Sequence, residues 1–177
     1  MNFSNKTIWI TGASSGIGKA VAIELAKYNT HLILSGRNTK ALEEIAGKCK
    51  QKNSTAQVVS FDLGDTDAVK IAANQVLSDG QKIDALYHFG GISQRSFVHE
   101  TSLEVDRKIF EVNFFGTVAL TKSILPWMIE NGGGQIAVTS SIVGKFGFPY
   151  RSAYSAAKHA LHGFFESLRA KNKKNNI

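Results

Sequence analysis

Short apolar stretches alternate with longer amphipathic ones along the whole chain. Five of them are rich in Ile, Val, Leu and aromatic residues and short enough for buried strands, at residues 7–11, 31–35, 56–63, 83–89 and 134–141. Between and after these strands, apolar positions recur at helical spacing, which predicts helices over residues 15–28, 38–50, 65–77, 103–129 and 153–171. Pro126 is expected to break or bend the long fourth helix.

The order of these elements predicts the architecture. Strands that alternate with helices of this length are typical of βαβ units and a parallel sheet. Right-handed crossovers then place helices on both faces of the sheet. We therefore expect an α/β fold, a doubly wound three-layer sandwich with a mostly parallel sheet. No repeat, low-complexity tract or linker interrupts the sequence, so residues 1–177 are interpreted as a single domain.

Composition narrows the compartment and the partners. Hydrophobic residues make up 43% of the chain and charged residues 20%, as in ordinary soluble globular proteins. A single cysteine, Cys49, cannot form a disulfide framework and fits a reducing compartment. The N-terminus shows no signal-peptide pattern, and no apolar run approaches the ~20 residues of a membrane span. We expect a cytoplasmic protein without a membrane partner.

The net charge of +7 is partly concentrated near the C-terminus, at Lys171, Lys173 and Lys174. Basic residues at a helix end complement the helix dipole, which accounts for them without a ligand. No basic stripe with interleaved aromatic residues appears, so no nucleic-acid partner is expected. The histidines lack companions at metal-ligand spacing, so no metal site is expected.

A glycine-rich turn, "TGASSGIG", follows the first strand. Gly12 permits a tight turn, while Gly16 and Gly18 bring the backbone and the helix start close to a ligand. The helix N-terminus offers free N–H groups to a pyrophosphate, and the hydroxyls of Ser14 and Ser15 can add hydrogen bonds. Because the turn joins a strand to a helix, it predicts a Rossmann dinucleotide site, although a merely structural turn remains the alternative.

The end of the second strand, "LSGRN", indicates which dinucleotide is bound. An NAD site usually has a carboxylate here for the ribose 2′-hydroxyl, but Gly36 occupies that point and Arg37 follows. A guanidinium can bind a 2′-phosphate in a bidentate manner. Ser35 and Asn38 can add hydrogen bonds, and Asn38 also stands where it can cap the second helix. The sequence favours NADP(H) over NAD(H).

The segment "YSAAK" places Tyr154 and Lys158 four residues apart, on one face of the last predicted helix. Alone, such a pair is most often a chance feature of a partly exposed helix. Beside a hydride-carrying cofactor, however, a phenol can give or take the proton at a carbonyl oxygen. The positive charge of Lys158 one turn away favours the phenolate.

Together, the Thr-Gly-x-x-x-Gly-x-Gly turn and Tyr-x-x-x-Lys resemble the short-chain dehydrogenase/reductase family. Ser141, thirteen residues before Tyr154, and Asn113, in "VNFFGT", match that family's serine and asparagine. The resemblance extends from Thr7 to the end of the chain. Three segments look more narrowly like carbonyl-, steroid- or retinoid-reductase-like members: "GGISQRS", "FFGTVALTKSILPWMI" and "YSAAKHALHGFFESLRA".

The resemblance implies two sets of site residues. In the first, Ser141 holds the substrate oxygen near Tyr154, Lys158 also binds the nicotinamide ribose, and Asn113 kinks its helix and holds a water. The expected catalytic residues are thus Asn113, Ser141, Tyr154 and Lys158. The expected cofactor-binding residues are Gly12, Ser14, Ser15, Gly16, Ile17, Gly18, Arg37, Asn38, Asp62, Leu63, Gly90, Tyr154 and Lys158.

Two departures from the family pattern stand out. The fourth strand ends in "HFGG" where the family usually has Asn-Asn-Ala-Gly, so the usual bracing by asparagine side chains is in doubt. The chain also stops where a sixth strand would begin, so the domain is expected to be incomplete at its C-terminus.

We therefore expect an NADP(H)-dependent oxidoreductase that interconverts a carbonyl and a secondary alcohol on a small-molecule substrate. The resemblance also implies a homodimer or homotetramer, through the apolar faces of the long helix and the last helix. A non-catalytic nucleotide-binding module is the main alternative. An epimerase or dehydratase of the wider family is disfavoured by the glycine spacing.

Overall fold

The computed structural model describes residues 3–177. Its sheet has five parallel strands in the order β3-β2-β1-β4-β5. They are β1 Thr7–Thr11, β2 His31–Ser35, β3 Thr55–Val58, β4 Ala85–His88 and β5 Gln135–Val138. The strand order changes direction between β1 and β4, and such a switch point opens a crevice at the carboxyl ends of the strands. The predicted doubly wound α/β fold is confirmed.

Six α-helices connect or follow these strands: α1 Gly16–Leu25, α2 Thr39–Lys50, α3 Thr66–Ser78, α4 Leu103–Phe110, α5 Gly116–Glu130 and α6 Ser152–Asn172. Asp65 caps α3 by accepting from the backbone N–H groups of Asp67 at 3.1 Å and Ala68 at 2.9 Å. Single 3₁₀ turns lie at Ala26–Tyr28, Val98–Glu100, Ile142–Gly144 and Lys173–Asn175.

The alternation of side chains along the strands produces two cores, one on each face of the sheet. Ile8 and Ile10 point to the face covered by α1 and α2. Trp9, between them, points to the opposite face, where α3 and α5 pack. All three side chains are fully buried. The sheet is therefore the middle of three layers, and its carboxyl edge stays open for a site.

Three predicted strands are shorter in the structure. The prediction for the third covers 56–63, but β3 ends at Val58. The reason is that β2 turns toward α2 after Ser35, so only isolated bonds remain, from Val59 N to Leu34 O and from Phe61 N to Gly36 O. Similarly, β4 and β5 end at His88 and Val138, where the chain opens around the site.

The long fourth helix is irregular at a point other than Pro126. Pro126 lies inside α5, which continues to Glu130, so no break occurs there. The departure from α geometry is instead a π-helical turn at Glu111–Phe115. In the described part of the chain, Leu103–Glu130 is also the one helix that is long and apolar enough, by length and composition, to cross a membrane.

The sequence has no uninterrupted apolar run of ~20 residues here, because Lys122 lies within the stretch, but the helix as a whole reaches the length and composition of a span. Packing accounts for part of its apolar character, because Leu120, Ile124 and Met128 are fully buried in the core shared with α3 and the sheet. Apolar residues around most of a helix are typical both of protein interiors and of membrane spans.

Candidate active site

A cavity of about 250 Å³ opens at the carboxyl ends of β1, β2 and β4 and beside the segment after β3. Of the residues predicted to bind the cofactor, it brings together Gly12, Ser14, Ser15, Gly16, Ile17, Gly18, Arg37, Asp62, Leu63 and Gly90. Its other walls include Phe61, Phe89 and Val112, which the sequence did not single out. Widely separated segments thus meet where the strand order reverses.

Two glycines of the turn are required by close backbone approach. A Cβ on Gly12 would lie 2.5 Å from the backbone N of Gly90, and Gly12 has a φ of +67°. A Cβ on Gly18 would lie 2.4 Å from the carbonyl oxygen of Gly12. Any side chain at either point would push α1 away from the ends of β1 and β4. The spacing of the glycines therefore sets the shape of the cavity.

The N-terminus of α1 faces this cavity with its polar groups unused. Ser15 occupies the N-cap position, and its side chain makes no capping hydrogen bond. Ile17 is 60% exposed, which is unusual for a large apolar residue that begins a buried helix. Free N–H groups, two hydroxyls and an open apolar surface fit the pyrophosphate of a dinucleotide. These residues fit a nicotinamide dinucleotide cofactor.

The end of β2 carries no acidic side chain toward the cavity. A Cβ on Gly36 would lie 3.3 Å from Ser14 Oγ, so the space that a carboxylate would need adjoins the glycine turn. The Arg37 guanidinium lines the cavity, is 60% exposed at its side chain and lies 3.9 Å from the Asp62 carboxylate. Arg37 is therefore only loosely paired and can reach an anion.

Two neighbours proposed to help Arg37 have other partners. Asn38 does not line the cavity; its side-chain oxygen accepts from Ala41 N at 3.1 Å and caps α2. The Ser35 hydroxyl accepts from Trp9 Nε1 at 2.8 Å inside the core. Both side chains hold the local structure in place. Arg37 is therefore the side chain at the end of β2 that is available to bind a 2′-phosphate.

The Tyr154–Lys158 pair lies on α6 as predicted. Lys158 Nζ is 5.7 Å from the centroid of the Tyr154 ring and donates to the carbonyl oxygen of Thr139 at 2.7 Å. Only 5% of Lys158 is exposed, and this burial lowers the pKa of its ammonium group to about 8. The lysine is thus a desolvated cation whose charge acts on the adjacent phenol.

A second cavity, of about 360 Å³, contains the predicted hydroxyls. Its walls are Ser93, Ser141, Val143, Phe148, Arg151 and Tyr154. Within residues 3–177, neither the Ser141 nor the Tyr154 hydroxyl has a hydrogen-bond partner. Ser140, by contrast, bonds to His162 Nε2 at 2.9 Å, which agrees with the choice of Ser141 over its neighbour. Two free hydroxyls therefore face a space open to a substrate.

Asn113 lies in the π-helical turn and braces the loop after β4. Its Oδ1 accepts from Ile92 N and its Nδ2 donates to Ile92 O, both at 2.7 Å. A Cβ on Gly91 would lie 2.8 Å from Asn113 Oδ1 and 3.9 Å from Lys158 Nζ. Because Gly91 lines the first cavity, the lysine and the asparagine stand beside a wall of that cavity, while Tyr154, one helical turn from Lys158, lines the second. Each of these two atoms makes one hydrogen bond and keeps the capacity for a second, so the side chain could still bind a water.

His88 takes over part of the bracing that the sequence put in doubt. Its Nε2 shares a hydrogen bond with Thr121 Oγ1 at 3.0 Å, which ties β4 to α5. Burial, with the charge of Lys158 as a second cause, lowers the pKa of His88 to about 3, so the ring is neutral. Within residues 3–177 its Nδ1 has no partner. No cluster of three potential metal ligands occurs in those residues.

Sequence reasoning missed several residues of the second cavity and its support. Ser93 and Arg151 line it, and Gln94 joins its two sides by accepting from Tyr154 N at 3.3 Å and donating to Ser152 Oγ at 3.3 Å. Arg151 stands just before the predicted helix, so helical spacing does not connect it with Tyr154. The loop residues carry no such signal either.

A sequence model described as short chain dehydrogenase matches residues 6–177. This chain belongs to the short-chain dehydrogenase/reductase family. It is 44% identical over 177 residues to mouse dehydrogenase/reductase SDR family member 7B, a match that covers 98% of this chain and 55% of the mouse protein. The chain thus spans about half the length of the curated relatives it matches.

Solved structures of short-chain dehydrogenases share the fold. One from Streptomyces avermitilis has 33% identity and a TM-score of 0.91, covering 98% of this chain and 63% of that protein. A metagenomic short-chain oxidoreductase in complex with NADP has 26% identity and a TM-score of 0.94, covering 99% of this chain and 80% of that protein. Members of the family are oxidoreductases.

Proposed function

We propose that this protein is an NADP(H)-dependent oxidoreductase that interconverts a carbonyl and a secondary alcohol on a small molecule. One observation carries the proposal. The unpartnered hydroxyls of Ser141 and Tyr154 open to one cavity, while Lys158 behind them adjoins Gly91 at the edge of the other. A reactive carbonyl in the second cavity would therefore face a nicotinamide in the first.

The protein's own part in this reaction is to hold the oxygen and move a proton. A nicotinamide cofactor, when bound, supplies or accepts the hydride. Ser141 donates a hydrogen bond to the carbonyl oxygen and holds it beside Tyr154. Tyr154 gives its phenolic proton to that oxygen in reduction and takes it back in oxidation. The buried Lys158 ammonium stabilises the phenolate that remains.

Preference for NADP(H) over NAD(H) is supported by the end of β2. Gly36 removes the carboxylate that would repel a 2′-phosphate, and Arg37 offers a guanidinium that is only loosely paired with Asp62. The NADP bound by the metagenomic relative is consistent with this preference.

The test is a titration with NADPH and with NADH, followed by cofactor fluorescence. We expect tighter binding of NADPH, and Arg37→Ala should weaken it by roughly 1.5–3 kcal/mol, as for hydrogen bonds to charged groups, and affect NADH little. Lys40→Ala, an exposed lysine of α2 that does not line the cavity, is the matched control. Equal affinity of the parent for both cofactors would contradict the preference.

Turnover separates this function from the alternative of a nucleotide-binding module. NADPH consumption with a panel of ketones and aldehydes supports the enzyme, whereas tight NADPH binding without turnover in the full-length protein supports the module.

We further propose association into a homodimer or homotetramer in the cytoplasm, since Leu103, Val105 and Phe115 of the long helix are 58%, 42% and 46% exposed. Light scattering that shows only monomer at micromolar concentration would contradict the association.

A further inference from the structure

Arg151 is a cationic side chain in the wall of the second cavity with no role in the reaction proposed above. It occupies the N-cap position of α6, three residues before Tyr154. Its guanidinium carbon lies 5.9 Å from the centroid of the Tyr154 ring. Ser141 and Tyr154 line the same cavity, so the guanidinium shares the space in which a carbonyl oxygen would bind.

The hydrogen-bonding capacity of Arg151 is largely unused. Its Nη1 donates to Ser93 Oγ, which fixes the guanidinium against the loop after β4. A guanidinium has five N–H donors, and within residues 3–177 no carboxylate lies within ion-pair distance of it. None of the six lining residues is acidic. The cavity thus contains one positive charge that the described residues do not neutralise.

The other walls set what kind of molecule can approach this charge. Val143 and Phe148 give the cavity an apolar side, and the three hydroxyl-bearing residues Ser93, Ser141 and Tyr154 line it together with Arg151. A purely apolar ketone would offer no acceptor to the guanidinium N–H groups that Ser93 does not use. Partly desolvated cations bind oxyanions more strongly than exposed ones do, and the planar fork of arginine matches carboxylate and phosphate.

We infer that the preferred substrate is an anionic carbonyl compound, with a carboxylate or phosphate group a few bonds from the reacting carbonyl. This inference rests on the proposed function and adds the substrate class to it. Ser141 and Tyr154 bind the carbonyl oxygen, and Arg151 binds the oxyanion group. Arg151 is thereby a specificity-determining residue, since it contributes nothing to the transferred proton.

The experiment compares charged and neutral members of two matched pairs with the full-length protein and NADPH. The first pair is levulinate and methyl levulinate, and the second is hydroxyacetone phosphate and hydroxyacetone. We expect the charged member of at least one pair to have the higher kcat/KM. The pair that shows the larger ratio tells whether carboxylate or phosphate is preferred.

Variants then assign that ratio to one side chain. Arg151→Gln should lower the charged-to-neutral ratio of kcat/KM by about 10–100-fold, the range expected for a hydrogen-bonded charge pair, mainly through KM. Arg151→Lys should retain part of the ratio, because lysine keeps the charge and loses the bidentate fork. Arg95→Gln is the matched control, since Arg95 lies 6.0 Å over the Tyr150 ring and does not line the cavity.

Each outcome decides the inference. A parent enzyme that prefers both neutral compounds, or an Arg151→Gln variant with an unchanged ratio, overturns it and leaves the proposed oxidoreductase standing. If no carbonyl compound is turned over, the proposed function fails instead. Calorimetry of levulinate and hydroxyacetone phosphate with the NADP⁺-saturated protein then decides the inference, because binding that Arg151→Gln does not weaken overturns it.

Discussion

The two cavities at the carboxyl edge of the sheet are built from different materials. The first depends on close backbone contacts, because a single methyl group on Gly12 or Gly18 would lie 2.5 Å or less from a backbone atom. The second is bounded by side chains from the loop after β4, the end of β5 and the start of α6. On the proposed function, the first cavity would bind the part common to all dinucleotides, and the second would vary with the substrate.

This difference teaches which part of the site tolerates substitution. In the first cavity, a side chain at one of these glycines moves a helix, so it lowers stability as well as binding. In the second cavity, each side chain can be replaced without moving its neighbours, so a substitution changes activity alone. Three substitutions, ordered by the size of the expected effect, test that contrast.

The largest effect is expected at Tyr154. Tyr154→Phe removes the hydroxyl and keeps the ring, so turnover of a carbonyl substrate by the full-length protein should fall by about 10²–10⁴-fold, the usual contribution of general acid–base catalysis. The NADPH dissociation constant should change little, because the phosphates bind at the other cavity. Steady-state kinetics and a cofactor titration measure the two quantities separately.

Tyr150→Phe is the control for this change. Tyr150 is 40% exposed and does not line the second cavity, so the variant should keep the parent turnover. Parent-like turnover by Tyr154→Phe would mean that the second cavity is not the catalytic one.

A smaller effect is expected from the charge of Lys158. Burial lowers the pKa of Lys158 from 10.5 to about 8. Between these values the unfolded chain binds a proton that the folded protein does not, so folding stability rises with pH over this window. At about 1.4 kcal/mol per pH unit, the free energy of unfolding of the parent should rise by roughly 2–3 kcal/mol relative to that of Lys158→Met between about pH 7 and pH 10.

Urea unfolding of both proteins at several pH values measures this difference. Lys48→Met, at an exposed position of α2, serves as the control for the loss of one positive charge. If the free energies of unfolding of the parent and of Lys158→Met differ by a constant amount across the range, folding does not lower the pKa of Lys158. A difference that falls as the pH rises would require a raised pKa.

The smallest change is a methyl group at Gly18. Gly18→Ala should destabilise the fold by about 1–3 kcal/mol, as overpacking usually does, and weaken NADPH binding because α1 must move. Gly163→Ala is the matched control: Gly163 is in α6, and nothing lies within 4 Å of the point that its Cβ would occupy, so alanine should stabilise the helix by about 0.5–1 kcal/mol. Similar unfolding curves for the two variants would mean that close backbone contacts at Gly18 do not constrain the first cavity.

The sequence predicted the first cavity well because its residues are close along the chain or follow buried strands. The glycine turn and Arg37 follow β1 and β2 closely, Asp62 comes four residues after β3, and parallel strands bring their carboxyl ends together. Asn38 fits both a cap and the cofactor by sequence, and the structure shows the cap. A polar side chain beside a helix start satisfies either role, so the sequence alone does not distinguish them.

The second cavity is predictable only in part. Ser141, Tyr154 and Lys158 are found through their spacing, but Ser93 lies 58 residues before its partner Arg151, and no periodicity connects a loop to a helix start. The break allowed for at Pro126 does not occur, and the irregularity lies at Asn113, where the family resemblance implied a kink. Proline at 126 is a visible signal, whereas the π-helical turn depends on how Asn113 and Ile92 meet in three dimensions.

The π-helical turn at Glu111–Phe115 also sets the rotational phase of the long helix. Before it, Ile109 packs in a small cluster with Ala153 and Ala157 of α6; after it, Leu120 and Ile124 pack into the core shared with α3. The additional residue in the wider turn shifts the following apolar stripe by about 100°. Deleting one residue there would restore a regular helix and turn one stripe out of its cluster, so chain length within this turn is fixed by the core as well as by the site.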